Sequence, residues 1–413
     1  MADPVPTPTP PPTPAPVPAP APSSPPSISP LMLPLYWKAV IASVMTVSWA
    51  LVAFMALRNG TVPPPPPDLN FLITTKSGEK VATGWHNDPK AVKDSNKSDG
   101  TQKFSSTPAG QALMAADADV YLWRAVRQVN GKDATANWYP NVNQQDVGCC
   151  VGCGFKHSVD VCQAVQIVQN GRKDQWKQVS VEEIYGGSRV IIGGGQIQGD
   201  GSVGAWAKEF ILKNGVAEMT KYDSVDLTTF SPARARQFGQ TGPPKDVLAA
   251  AASHIVKGVA QVNTWDDVNK AIRQGYPVAV CSSVGYADPD GSPGTRDKDG
   301  FCRARGSWGH CMAFIGVRGG ARPGAFCLNS WGDNAHSGPC VPSDAPPAGF
   351  WVDADNVNVM VGMGDSFALA DMQGFPARQL DWFVKDVPNK KNSVVAFNNL
   401  QRFDVDLTLK FPR

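Results

Sequence analysis

The chain has no long basic run and almost no net charge: 38 Lys and Arg stand against 36 Asp and Glu, a formal +2 over 413 residues. That balance offers no electrostatic footprint for nucleic acid, so no such partner is expected. It also lacks a Cys/His set at zinc-finger spacing, and no metal or other cofactor is expected. The glycines of Gly193-Gly194-Gly195 and Gly199-Asp200-Gly201 are not followed by Lys and Ser/Thr, which reads as a turn and not a phosphate loop. Nine cysteines are too few for a disulfide scaffold, though many for a reducing compartment. Proline is concentrated at one end, with 20 of 37 prolines in the first 67 residues, and that stretch cannot all pack into a core.

What is there divides into five stretches. Residues 1–34 form a Pro-rich tail expected to have no fold of its own and able to recruit a partner or act as a spacer. Residues 39–57 are an uncharged 19-residue run bracketed by Lys38 and Arg58, with Tyr36 and Trp37 at one edge. At ~1.5 Å per residue it reaches ~28 Å, so one transmembrane helix is predicted over 35–58 and a single-pass membrane protein with it. The side of the bilayer that holds the rest is undetermined, with a lean to extracytoplasmic from the cysteines. Residues 59–110, with five consecutive prolines and then Lys, Asp, Ser and Gly, read as linker. A globular domain is expected over 111–390 and a C-terminal strand or extension over 391–413.

Within the domain, Val151, Phe155, Val159, Cys162 and Val165 recur at helical steps and predict a helix that starts just after Cys150. Further helices are predicted over Val203–Asn214 and from Thr264, whose spacing to Asp267 suits a capping box, to Gly275. Pro277–Cys281, Cys311–Val317 and Ala325–Leu328 read as buried strands. Helices come early and strands late, which predicts an α+β class.

Three short segments carry chemistry. Cys150 stands at the predicted helix start, where orphan amides and the helix dipole are expected to stabilise a thiolate. His310 begins one apolar strand and Asn329 ends the next, so an imidazole and an orienting amide can meet at adjacent strand ends. Gln144, six residues before Cys150, is the candidate side-chain oxyanion donor beside the Cys150 amide. Trp331 is placed to shield the histidine–asparagine bond. Two local competitors are a dithiol redox motif, Cys150-Val151-Gly152-Cys153, and a metal site from Cys149, Cys150, Cys153 and His157. The first leaves the His310 and Asn329 segments unexplained, and the ligands of the second crowd into two turns without a paired knuckle.

These segments resemble the papain-like cysteine peptidases. Gln144 to Val151 is similar to that family's nucleophile pattern, Gly309-His310 to its histidine motif, and Asn329-Ser330-Trp331-Gly332 to its Asn-Ser-Trp-Gly. The resemblance covers roughly residues 115–375. It implies a two-lobe fold with a helical lobe and a β-barrel-like lobe. It further implies Cys150 as nucleophile, His310 as base and acid, Asn329 as orienting residue and Gln144 as oxyanion donor. Gly201 would present backbone to an extended peptide, with Trp331 lining the same substrate site. The implied function is a membrane-anchored thiol peptidase acting on a peptide or protein. The alternatives are a catalytically silent binding module or a thiol amidase acting on cell-wall peptides. The chain departs from the family at Val151, at Val147 in place of a cysteine, and at Asp333-Asn334-Ala335 in place of a second glycine-tryptophan. Residues 69–110 are short and polar, and no inhibitory propeptide is recognisable in them. Cys302 and Cys340 bracket the two strands and form a candidate disulfide.

Overall fold

A computed structural model describes residues 72–113, 118–130, 139–169, 175–254, 256–370, 375–378 and 380. In chain order they form β1 (Leu72–Thr74), β2 (Lys80–Ala82), α1 (Pro89–Asp99), a short 3-10 turn (Phe104–Ser106), α2 (Pro108–Gln111), β3 (Val120–Tyr121) and α3 (Trp123–Asn130). The long helix α4 (Cys150–Gln169) follows, then α5 (Val181–Gly186) running into a π-helical turn (Gly187–Ile192), α6 (Gly204–Lys213), α7 (Pro232–Thr241) and α8 (Lys245–Ala251). The chain closes with β4 (Gly258–Gln261), α9 (Trp265–Arg273), β5 (Val278–Val284), β6 (Ser307–Arg318), β7 (Gly324–Leu328), β8 (Gly349–Asp353), α10 (Ala354–Val361) and β9 (Ser366–Ala370).

Local chemistry sets the element ends. Asp88 accepts from the Ala91 amide at 2.8 Å to start α1, and Gly100 at φ +69° ends it, a conformation that costs a residue without Cβ little. Thr264 and Asp267 form the reciprocal capping box at the start of α9. The helices collect early and the antiparallel strands late, in the sheet order β4-β9-β5-β6-β7-β8 with β3 added on β6. This is the α+β segregation expected from the sequence.

Period-2 alternation feeds two cores from one sheet. Val278 and Val280 of β5 enter the core shared with Trp123, Phe314 and Trp351, while Ala279 and Cys281 enter the one shared with Phe155, Phe210 and Phe367. Helix α4 belongs to both: Val151 and Phe155 lie in the second, Val161 and Val165 in the first. Its buried Lys156 forms an ion pair with Asp160 on the next turn and bonds Gln178 at 3.0 Å, so the charge is compensated inside the protein.

Two expectations are corrected here. Among the described residues no helix is long and apolar enough to cross a membrane, which conflicts with the single-pass protein expected. The longest, α4, carries Lys156, His157 and Asp160 and is packed in protein over nearly its whole length. The run assigned to a transmembrane helix, 35–58, lies outside the described residues, as do the Pro-rich tail and the C-terminal stretch 391–413. The reading of residues up to 110 as linker also fails from Leu72 onward, where β1, β2, α1 and α2 form. Their apolar content is sparse, but Ile73, Val81, Trp85 and Phe104 are buried by the rest of the domain.

Candidate active site

Helix α4 begins at Cys150, one residue earlier than its periodicity indicated, so the Cys150 amide is among those the helix leaves unclaimed. The helix approaches β6 closely because Gly154 has no side chain. A Cβ there would lie 2.7 Å from Cys311 Sγ and 2.9 Å from the Met312 carbonyl. Cys150, one turn earlier, is thereby held beside the strand that carries His310.

His310 lies near the start of β6 and Asn329 directly follows β7. The two strands are antiparallel neighbours, which brings the start of one against the end of the other. His310 Nε2 and Asn329 Oδ1 are 2.8 Å apart. The Trp331 ring stacks on His310 at 4.5 Å and 29°, covering that bond as expected. His310 Nδ1 has no hydrogen-bond partner among the described residues and is buried. Asn329 turns its other end to a residue the sequence reading missed: Nδ2 is 3.0 Å from His336 Nε2, and His336 Nδ1 is 2.9 Å from the Gly294 carbonyl.

Gln144 is fully buried and its amide is in use at both ends. Nε2 donates to the carbonyls of Val147 at 2.8 Å and Ala82 at 3.0 Å, and Oε1 accepts from the Ser330 hydroxyl at 2.5 Å. The Ala82 carbonyl also accepts from Trp331 Nε1 at 2.9 Å. The candidate oxyanion donor therefore holds a carbonyl of this same chain.

That carbonyl belongs to a segment, Val81 to His86, laid along the site. The amides of Gly84 and Trp85 both donate to the Gly309 carbonyl, at 2.9 and 2.8 Å, next to His310. The Gly84 carbonyl accepts from the Ser202 amide at 2.8 Å, and the His86 amide donates to the Ser202 carbonyl at 2.9 Å. Gly84 packs so close to the nucleophile loop that a Cβ would sit 2.0 Å from the Gly148 carbonyl oxygen. Trp85 Nε1 anchors the far side on the buried Asp365 carboxylate at 2.7 Å. Thus a stretch read as polar linker, without a recognisable propeptide, closes the site through backbone hydrogen bonds.

Gly201 is adjacent to that segment, as a Cβ on it would meet His86 at 2.3 Å, and its φ of +114° favours glycine. Its own amide, however, donates to Tyr185 Oη at 2.9 Å and its carbonyl accepts from Arg189. Ser202, one residue on, is the one that exchanges backbone bonds with an extended chain.

The electrostatics of the closed site differ from the sequence expectation. Burial pushes the Cys150 thiol well above its ordinary range, and the neighbouring Cys311 adds to this. Backbone bonds from Cys311 and Gly84 oppose the shift without overcoming it. Burial likewise pulls the His310 imidazole down to about 4 against the opposing Asn329 bond. The closed site holds a neutral thiol and a neutral imidazole.

All nine cysteines are free thiols, so Cys302 and Cys340 are not joined. Cys302 instead donates to the Gly294 carbonyl at 3.4 Å. Cys153, the partner in the dithiol reading, faces Cys149 at 3.9 Å.

No protein-family model and no curated protein sequence matches the chain. Among solved structures it is similar to xylellain, a cysteine protease from Xylella fastidiosa, at 16% identity and TM-score 0.48, covering 73% of this chain and 98% of that one. It is also similar to digestive procathepsin L 3 of Tenebrio molitor larval midgut, at 13% identity and TM-score 0.41, covering 80% of this chain and 90% of that one. A third is procathepsin B S9 from Trypanosoma congolense, at 13% identity and TM-score 0.43, covering 70% of this chain and 86% of that one. These are likenesses to papain-like cysteine proteases at modest scores and low identity.

Proposed function

We propose that the chain is a thiol peptidase whose acyl-enzyme forms on Cys150. The observation that carries the reading is the His310–Asn329 bond at 2.8 Å, which leaves His310 Nδ1 bare at the start of the strand beside Cys150. In the reaction, Cys150 gives its proton to His310 Nδ1 while the sulfur attacks the carbonyl carbon of a peptide bond. The resulting oxyanion is met by the Cys150 amide and by Gln144 Nε2, which already donates to a carbonyl lodged in this site. His310 returns the proton to the leaving amine, the peptide bond breaks, and water then hydrolyses the thioester with His310 again as base. Peptide backbone would be taken up by Ser202 and the Gly309 carbonyl once the Val81–His86 segment has left them. Trp331 acts as a lid over the histidine–asparagine bond.

The test is hydrolysis of a mixed peptide library by the full chain and by its Cys150→Ala variant, together with labelling by a thiol-reactive epoxide. Loss of both on substitution is expected. Full activity in the variant would refute the assignment. A second reading, a silent binding module, is favoured by one observation: the thiol is sealed under Gly84 and held protonated. It predicts no turnover even after the segment is displaced.

A further inference from the structure

We propose that His336 is a positioning residue, which clamps the Asn329 amide so that its oxygen faces His310. The inference rests on the thiol-peptidase reading for its catalytic consequence, and on the hydrogen-bond chain for its geometry.

An amide has nearly the same shape when its oxygen and nitrogen are exchanged, so packing alone does not choose its orientation; the hydrogen bonds do. The choice here starts at the Gly294 carbonyl, 2.9 Å from His336 Nδ1. A carbonyl only accepts, so the proton of the neutral imidazole sits on Nδ1 and Nε2 is left as an acceptor. An acceptor at 3.0 Å requires a donor opposite, which fixes the near end of Asn329 as Nδ2. Oδ1 therefore points the other way, where it meets the Ser330 amide at 2.7 Å and His310 Nε2 at 2.8 Å. His310 must then carry its proton on Nε2, leaving the Nδ1 lone pair free to take the proton of the thiol. The Gly294 carbonyl, acting through His336, and the Ser330 amide thus fix from two sides the amide orientation that sets the tautomer of the candidate base.

The surroundings of His336 support the neutral form this requires. Its ring is 2% exposed, packs against Phe350 at 4.6 Å, and lies 4.0 Å from the Cys302 thiol. The Arg296 guanidinium, which donates to the His336 carbonyl at 2.9 Å, also disfavours a second positive charge there. Burial is the largest effect and holds the imidazole down to about 3. His336 follows directly on Asp333-Asn334-Ala335, where the chain departs from the resembled family's motif.

The experiment uses the full chain with 15N-labelled histidine, as wild type, His336→Leu and His336→Gln. Leucine removes the acceptor; glutamine can present an oxygen near the position of Nε2. In wild type the ring-nitrogen shifts should report Nε2–H on His310 and Nδ1–H on His336. In His336→Leu the His310 signals should become a mixture of tautomers. Its kcat for peptide hydrolysis should fall about 10- to 100-fold with KM nearly unchanged, the scale lost when a support behind a working group is removed. His336→Gln should recover most of both. Nδ1–H on wild-type His310 would overturn the proposal without any variant, which covers the case in which His336→Leu fails to fold. An unchanged His310 tautomer and kcat in a folded His336→Leu protein would overturn it equally. If no hydrolysis is found even with the Val81–His86 segment displaced while the tautomer shift occurs, the peptidase reading fails and the clamp stands.

Discussion

The two halves of the candidate site are in opposite states. On the sheet side, His310, Asn329, His336 and the Gly294 carbonyl form a continuous chain of bonds between 2.8 and 3.0 Å. On the helix side, Cys150 lies under the Val81–His86 segment with its thiol protonated by burial, and Gln144 is engaged with Ala82. The proposed base is oriented while the proposed nucleophile is still covered. Orientation costs little to maintain in a buried strand pair, whereas an exposed thiolate is chemically vulnerable. On the proposed peptidase reading, this separation would place control on the Val81–His86 segment alone and leave the His310–Asn329 pair in place.

The sharpest way to break this comparison is to remove the base. His310→Ala should lower peptide hydrolysis by at least about 100-fold, the scale of general acid–base catalysis, in a steady-state assay with the segment displaced. A loss of less than tenfold would mean that the ordered half has no catalytic work.

Displacing the segment tests the other half. Gly84→Val forces a Cβ to within 2.0 Å of the Gly148 oxygen, so the segment must lift. Cys150 labelling by a thiol-reactive epoxide should accelerate at least about tenfold, since each ~1.4 kcal/mol of clash is a factor of ten in population. Unchanged labelling would show that the segment is not what seals the thiol.

Acid should act in the same direction as that substitution. His310 is held down to about 4 in the closed site, against an ordinary 6.5. A depressed value means stability that is full above 6.5 and is lost as pH falls through about 4, because any state in which the ring meets water binds the proton first. The expected penalty is ~1.4 kcal/mol per pH unit over that window, roughly 3 kcal/mol in all. Other groups titrate there too, so the measurement is a difference. The fall in thermal midpoint between pH 7 and 4 should be smaller in His310→Gln than in wild type, and parallel curves would contradict the burial assignment.

The smallest effect on the site itself is expected from a carboxyl away from the couple. Burial raises the Glu183 carboxyl to about 8, with Oε2 accepting from the Ala217 amide at 3.3 Å and Oε1 unpartnered among the described residues. A raised carboxyl contributes stability that is present below its ordinary 4.5 and lost as pH rises through about 8. Glu183→Gln stays neutral, so its stability relative to wild type should rise by roughly 4 kcal/mol between pH 5 and pH 9, at ~1.4 kcal/mol per pH unit up to about pH 8. Equal effects at both pH values would show that the carboxyl is not neutral in the fold.

The sequence alone was sufficient wherever a residue's role depends on its immediate neighbours in the chain. Helical periodicity after Cys150, alternation in β5, and the spacing of Thr264 to Asp267 are local signals, and they located α4, the strands and the cap of α9. The same locality put His310 and Asn329 at neighbouring strand ends. Tertiary structure alone decided the rest. The Gly84–His86 part of the segment has no hydrophobic period to betray it, since its backbone bonds run to Ser202 and Gly309, more than 60 residues away. That Ser202, and not Gly201, pairs with the Gly84–His86 backbone follows because a one-residue step along an extended chain reverses the direction of its amide, which composition does not encode. The Cys150 thiol was expected to be acidic from its helix start, but burial raises it, and the backbone bonds from Cys311 and Gly84 that oppose the shift do not overcome it. His336 drew no attention as a histidine in a loop; its role exists only because Gly294 and Asn329 meet it from opposite sides.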